Sequence, residues 1–157
     1  MRSDALLFAH LVGALALFGG VIAMTAASFA ARTRISPREI ALLTKVAYRT
    51  LLLVVWPALV VAVVAGQALA DKEDVSGQTW LAVAYPLTYI GGAAGSVALT
   101  LLARRVMHRA ERLAAEGVEH AAELRELASA RIVAVLGPVL TGVLVILFWL
   151  MTAKPGA

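Results

Sequence analysis

Long apolar stretches separated by short polar ones dominate this chain. The runs Ala5–Ala30, Leu51–Ala70, Thr79–Ala103 and Ile132–Thr152 contain no Lys, Arg, Asp or Glu. A hydrocarbon core about 30 Å thick takes about 20 residues at a helical rise of about 1.5 Å each, so every run is long enough to cross it. In lipid each backbone N–H and C=O must be satisfied within its own segment or in a closed sheet, and none of the runs alternates with period two. The pattern predicts an all-α polytopic membrane protein. It has four transmembrane helices at about 5–30, 51–70, 79–103 and 132–152, packed as an antiparallel bundle in one membrane domain, 1–157.

The polar connections predict further helix. Ser36-Pro37-Arg38-Glu39 ahead of Ile40 reads as an N-cap serine, a proline at the first helical position and a reciprocal glutamate, so a helix starts at Pro37, well before the second span enters the bilayer. Arg104–Ala130 is rich in Ala, Leu, Glu and Arg, all good helix formers, with Gly117 near its midpoint. It reads as a cytoplasmic helical hairpin over about 104–131, whose legs continue spans three and four and turn at Gly117. Its first leg is mostly basic and its second mostly acidic (Glu119, Glu123, Glu126), which favours their pairing; a solvated loop is the alternative. Trp56-Pro57 and Gly137-Pro138 lie at similar depth in spans two and four. A bend is expected at each, and the recurrence hints at parallel repeats.

Two sets of small residues predict close helix packing. Gly13, Ala16, Gly20 and Ala23 recur at three- and four-residue spacing on span one, and Gly91, Gly92, Gly95 and Ser96 do so on span three. The second set fits contact with span one inside a monomer, or the seam of a homodimer.

Charge adds orientation. Eleven of the fourteen Lys and Arg residues fall in 31–49 and 104–131. That bias places both basic loops in the cytoplasm of a multi-pass cell-membrane protein, with both termini and the acidic Asp71–Gln78 connection outside. The net charge of +4 is then topological and calls for no nucleic-acid partner. Arg104, Arg105, Arg109 and Arg112, at the membrane edge, are candidates for contact with lipid headgroups. The expected partners are the bilayer itself and, on the small-residue faces, a second copy or other membrane subunits. With no cysteine, disulfide and thiolate chemistry are excluded. The first run is too long for a signal-peptide core, and Arg32 and Arg34 follow it like a stop-transfer flank, so it reads as a retained span.

His10 is the one titratable side chain below pH 9 within the runs. By helical rise it lies roughly 9 Å inside its helix end, level with Gln67, Tyr85 and Trp149, which together suggest a polar and aromatic layer around it. A histidine in lipid either ligates haem iron or a metal, relays a proton or senses pH, or it hydrogen-bonds a neighbouring helix and holds the bundle together. Both readings stay open. Trp80, Tyr85 and Trp149 also fit an interfacial aromatic belt. His108 and His120 read as surface histidines, and Met24 and Met151 as core residues rather than copper ligands. The spans hold no carboxylate or lysine, which argues against ion-coupled transport, and no nucleophile constellation or phosphate loop, which argues against hydrolysis and nucleotide chemistry.

Phe8-Ala9-His10-Leu11-Val12-Gly13-Ala14 with Phe18-Gly19-Gly20 resembles the first helix of a bacterial group of small four-helix membrane proteins. The group comprises the CopD-like copper-resistance domains, the haem-dependent protoporphyrinogen oxidases and a neighbouring family of integral membrane proteins of unknown function. Arg49 to Gly66 with Pro57, and Ala103-Arg104-Arg105 with His108, resemble that last family. The resemblance implies that His10 matches the first-helix histidine of the haem-binding relatives. Span three, however, has no His or Lys within the bilayer to complete such a site. The chain thus reads first as a non-catalytic membrane protein that self-associates or serves a larger complex as an accessory subunit. The alternative is a haem- or copper-binding protein that uses His10 as ligand.

Overall fold

In a computed structural model of the protein, the described residues are 3–33, 36–117 and 131–154, and they are helical apart from short turns. The described residues form four rods: α1 (Ser3–Arg32), α2 (Pro37–Lys72), α3 (Thr79–Ala115) and α4 (Arg131–Ala153). The first three are long and apolar enough to cross a membrane, and α4, 23 residues in all, contains the shorter apolar helix Gly137–Ala153. The chain is an all-α membrane protein.

Close contacts fix the directions. Gly13 lies against Ala62 and Gly20 against Val55, so α1 and α2 are antiparallel; Gly91 meets Val143 and Gly95 meets Leu140, so α3 and α4 are too. Trp56 pairs with Thr100, while Ile40 packs with Val106 and Ala110, which sets α2 antiparallel to α3. The main core joins Leu17, Val21 and Met24 of α1, Leu51, Val55 and Leu59 of α2, Leu99 of α3 and Leu140 of α4. A second cluster, with Ala70, Trp80, Leu81, Leu147 and Leu150, closes the end of the bundle that carries the acidic 71–78 connection.

Both long central rods contain π-helical stretches beside a proline. In α2 the ladder widens over Leu51–Val55, and the Trp56 N–H donates to Leu51 O, five residues back. Pro57 follows, with no N–H to give to the carbonyl four residues earlier, so the wider turn re-registers the ladder where that bond is missing. In α3 the stretch Leu87–Ala94 follows Pro86 directly.

At the basic end α2 and α3 continue as a packed pair, with Ile40 and Ala110 fully enclosed and Val106 beside them. α2 starts at Pro37 as its sequence indicates. Ser36 has the extended backbone of an N-cap but makes no side-chain cap bond, which corrects the expected reciprocal cap; proline at the first position leaves the first turn with one N–H fewer to satisfy. α3 ends at Ala115, and Gly117 takes a left-handed conformation (φ 74°), the usual helix-stop geometry for glycine. The acidic leg with Glu119, Glu123 and Glu126, and His120 on it, lie outside the described residues.

Candidate functional site

The α1–α2 seam is where the sequence's chemical oddity sits. α1 presents Gly13 and Gly20 to α2, and both are buried. A Cβ on Gly13 would fall 2.8 Å from the Ala62 nitrogen and 3.1 Å from Ala58 O; one on Gly20 would fall 2.9 Å from Val55 Cγ2. Backbone meets backbone at the first position, and only glycine allows that approach.

One turn before Gly13, the half-buried imidazole of His10 crosses the seam. Its Nδ1 lies 2.7 Å from the carbonyl oxygen of Ala62. A carbonyl only accepts, so Nδ1 carries the proton, and in the neutral ring the lone pair is left on Nε2. The ring rests on Gly66: a Cβ there would fall 2.8 Å from both Nδ1 and Cε1. Ala62 and Gly66 are one turn apart on α2, so the carbonyl that accepts from His10 and the gap that admits the ring lie on the same face. The site therefore needs a histidine on α1, a backbone carbonyl at 62 and a missing side chain at 66.

The other side chains expected around His10 have partners of their own. Gln67 donates through Nε2 to Asp71 Oδ1, which also accepts from Ser76 Oγ, so it organises the acidic connection. Tyr85 packs into the Trp80–Leu147 cluster, 6.5 Å from the Tyr89 ring, and its buried hydroxyl has no partner among the described residues. Trp149 is 57% exposed and faces away from the bundle, whereas Trp80 is buried and bonds Gln78 through its indole N–H. Among the described residues no hydrogen bond joins any of these to His10, because their helices direct them at α4, the connection or the lipid side.

Among the small residues, Ala16 packs against the core and Ala23 is exposed, so the α1 seam runs through Gly13, Leu17, Gly20 and Met24. Contact of the α3 glycines with span one is corrected: Gly91 and Gly95 meet Val143 and Leu140 of α4, and Gly92 approaches Leu59 of α2. Ser96 is buried. Arg104, Arg105, Arg109 and Arg112 are exposed on the basic end of α3. His108 lies 3.5 Å from Glu111, which Lys45 of α2 also approaches at 4.0 Å.

Sequence reasoning missed three features. One is the Trp56 Nε1 bond to Thr100 Oγ1 at 3.2 Å, which ties α2 to α3 within the apolar runs. Another is Thr25, whose buried hydroxyl lacks a partner among the described residues and abuts Gly137 of α4. The third is a cavity of about 40 Å³ between α1, α2 and α3, lined by Met24, Ser28, Thr44, Leu51, Leu99 and Val106. The i, i+4, i+7 spacing of Ile40, Thr44 and Ala47 was the available sign of a packed face there. Met24 is core and Met151 packs in the acidic-end cluster. Among the described residues no three His, Cys, Asp or Glu side chains converge on a metal position.

Residues 4–155 match the model of a family described as "Predicted integral membrane protein (DUF2269)". No curated protein and no solved structure matches the chain.

Proposed function

We propose, starting from the fact that this chain belongs to the DUF2269 family of predicted integral membrane proteins, that it is a non-catalytic membrane subunit built on four spans. In this reading it associates with itself or with a larger membrane complex. The observation that carries it is the His10–Ala62 hydrogen bond with the ring seated on Gly66. The one side chain within the apolar runs that titrates below pH 9 is thereby occupied in a helix–helix clasp, which meets its need for a partner in lipid without a ligand. Orientation follows the basic loops, 31–49 and 104–131 cytoplasmic and both termini outside.

A second reading has one observation in its favour. Histidines that ligate metals commonly donate their other ring N–H to a carbonyl, and Nδ1 of His10 does so, leaving the Nε2 lone pair. Haem iron or copper on Nε2 would make the chain a redox or metal-handling relative of the CopD-like and protoporphyrinogen-oxidase groups. Gln67, Tyr85 and Trp149 would then have to turn from their present partners to surround it.

Absorbance and metal analysis of the protein, purified after expression with haem and copper supplied, separates the two. The clasp reading expects a colourless, metal-free protein that His10→Ala destabilises. A Soret band or stoichiometric copper that disappears in His10→Ala would overturn it.

A further inference from the structure

The lipid-facing stripe of α2 runs past the end of its charge-free run. Leu53, Val60 and Val64 face away from the bundle, and the same face continues toward the basic end as Val46 and Leu42, 48% and 63% exposed. Arg38, Lys45 and Arg49 flank that pair, with Glu39 at the edge, and all four are exposed. The opposite face is fixed inward, because Ile40, Thr44 and Ala47 are buried, Ile40 against Val106 and Ala110 of α3. Leu42 and Val46 therefore have no route into the core.

Length places them. From Leu42 to Asp71 the helix measures about 43 Å at helical rise, and a bilayer including both headgroup layers is about 40–45 Å thick. With Asp71 at one headgroup edge, Leu42 and Val46 fall within the opposite headgroup layer, and the cations beside them reach the phosphates. Arg104 and Arg105 of α3 are exposed at the same end.

We propose that Arg38, Leu42, Lys45, Val46 and Arg49 form a seat for anionic phospholipid, with Val46 at the glycerol level, Leu42 among the headgroups beyond it and the three cations reaching the phosphates between them. A second copy is a poorer occupant, since two such faces would oppose three like charges each. The continuity with the Leu53–Val60–Val64 stripe favours lipid over an acidic protein. The inference rests on the membrane assignment and not on the role of His10.

The chain has no cysteine, so Leu42→Cys or Val46→Cys carries a single environment-sensitive fluorophore. The labelled full chain is placed in phosphatidylcholine vesicles with rising phosphatidylglycerol, and quenching by headgroup nitroxide lipid and by aqueous iodide is read. Nitroxide quenching should rise with phosphatidylglycerol while iodide quenching falls. Each of Arg38→Gln, Lys45→Gln and Arg49→Gln should raise the anionic lipid needed for half the effect by about fivefold, equivalent to about 1 kcal/mol per charge. Lys154→Gln, past the far end of α4, should leave it unchanged. Iodide quenching that is strong and independent of lipid composition would overturn the proposal by placing the face in water. Shielding from both quenchers that varies with protein-to-lipid ratio would overturn it in favour of a second copy. Two labelling sites guard against one variant failing to fold, and thermal midpoints matching the unlabelled chain verify each.

Discussion

The imidazole of His10 occupies the space that a side chain on Gly66 would need: a Cβ built there falls 2.8 Å from two ring atoms. Residues 56 positions apart are thus matched, one supplying a ring and the other its absence. The ring's N–H then reaches Ala62 O, one turn away on the same helix. Several outcomes can be checked from this arrangement.

Gly13 and Gly19 are six residues apart on α1 and should behave oppositely. A Cβ at 13 would meet the α2 backbone at 2.8 Å, while at 19 it meets nothing within 4 Å. Gly13→Ala should destabilise by about 1–3 kcal/mol, the usual cost of overpacking, and Gly19→Ala should be neutral or slightly stabilising. Denaturation in detergent micelles measures both.

Ile40 has no exposed surface and holds the basic ends of α2 and α3 together. Ile40→Ala should cost about 2–5 kcal/mol locally, as for other fully buried aliphatic truncations. Hydrogen exchange should show faster exchange over Pro37–Thr50 with little change around Gly66.

Trp56 and Thr100 share a hydrogen bond between spans. Thr100→Val should lose about 0.6 kcal/mol, a typical value for such bonds in membranes, and should shift the Trp56 fluorescence. The Lys45–Glu111 approach is 4.0 Å and exposed at both ends, so Lys45→Ala should change stability by less than about 1 kcal/mol.

Reporter fusions at Gly117 and Asp74 test the orientation. Cytoplasmic activity is expected at Gly117 and external activity at Asp74, following the basic loops. The reverse pattern would overturn the proposed orientation.

The membrane fold was legible because lipid penalises an unsatisfied backbone so heavily that charge-free runs of this length have few other uses. The start at Pro37 and the stop at Gly117 were legible because proline and glycine act locally. Partners were harder. The acceptor for His10 is a main-chain carbonyl at Ala62, which carries no side-chain signature, and the four-residue spacing of Ala58, Ala62, Gly66 and Ala70 marks a face open to close approach without encoding which side chain fills it. The α3 glycines announced a close approach, but Gly91 and Gly95 do not encode whether Val143 of α4 or a residue of α1 fills the gap. The π-helical stretches have a cause in Pro57 and Pro86, yet proline alone does not distinguish a widened turn from a bend.

A double-mutant cycle between His10 and Gly66 tests the clasp most directly. Gly66→Ala should destabilise the native chain by about 1–2 kcal/mol, through displacement of the ring and loss of its hydrogen bond. In the His10→Ala background the same change should cost nothing or stabilise, because the ring that filled the space is gone. Additive costs, with Gly66→Ala equally damaging in both backgrounds, would contradict the assignment of His10 as the residue that joins α1 to α2.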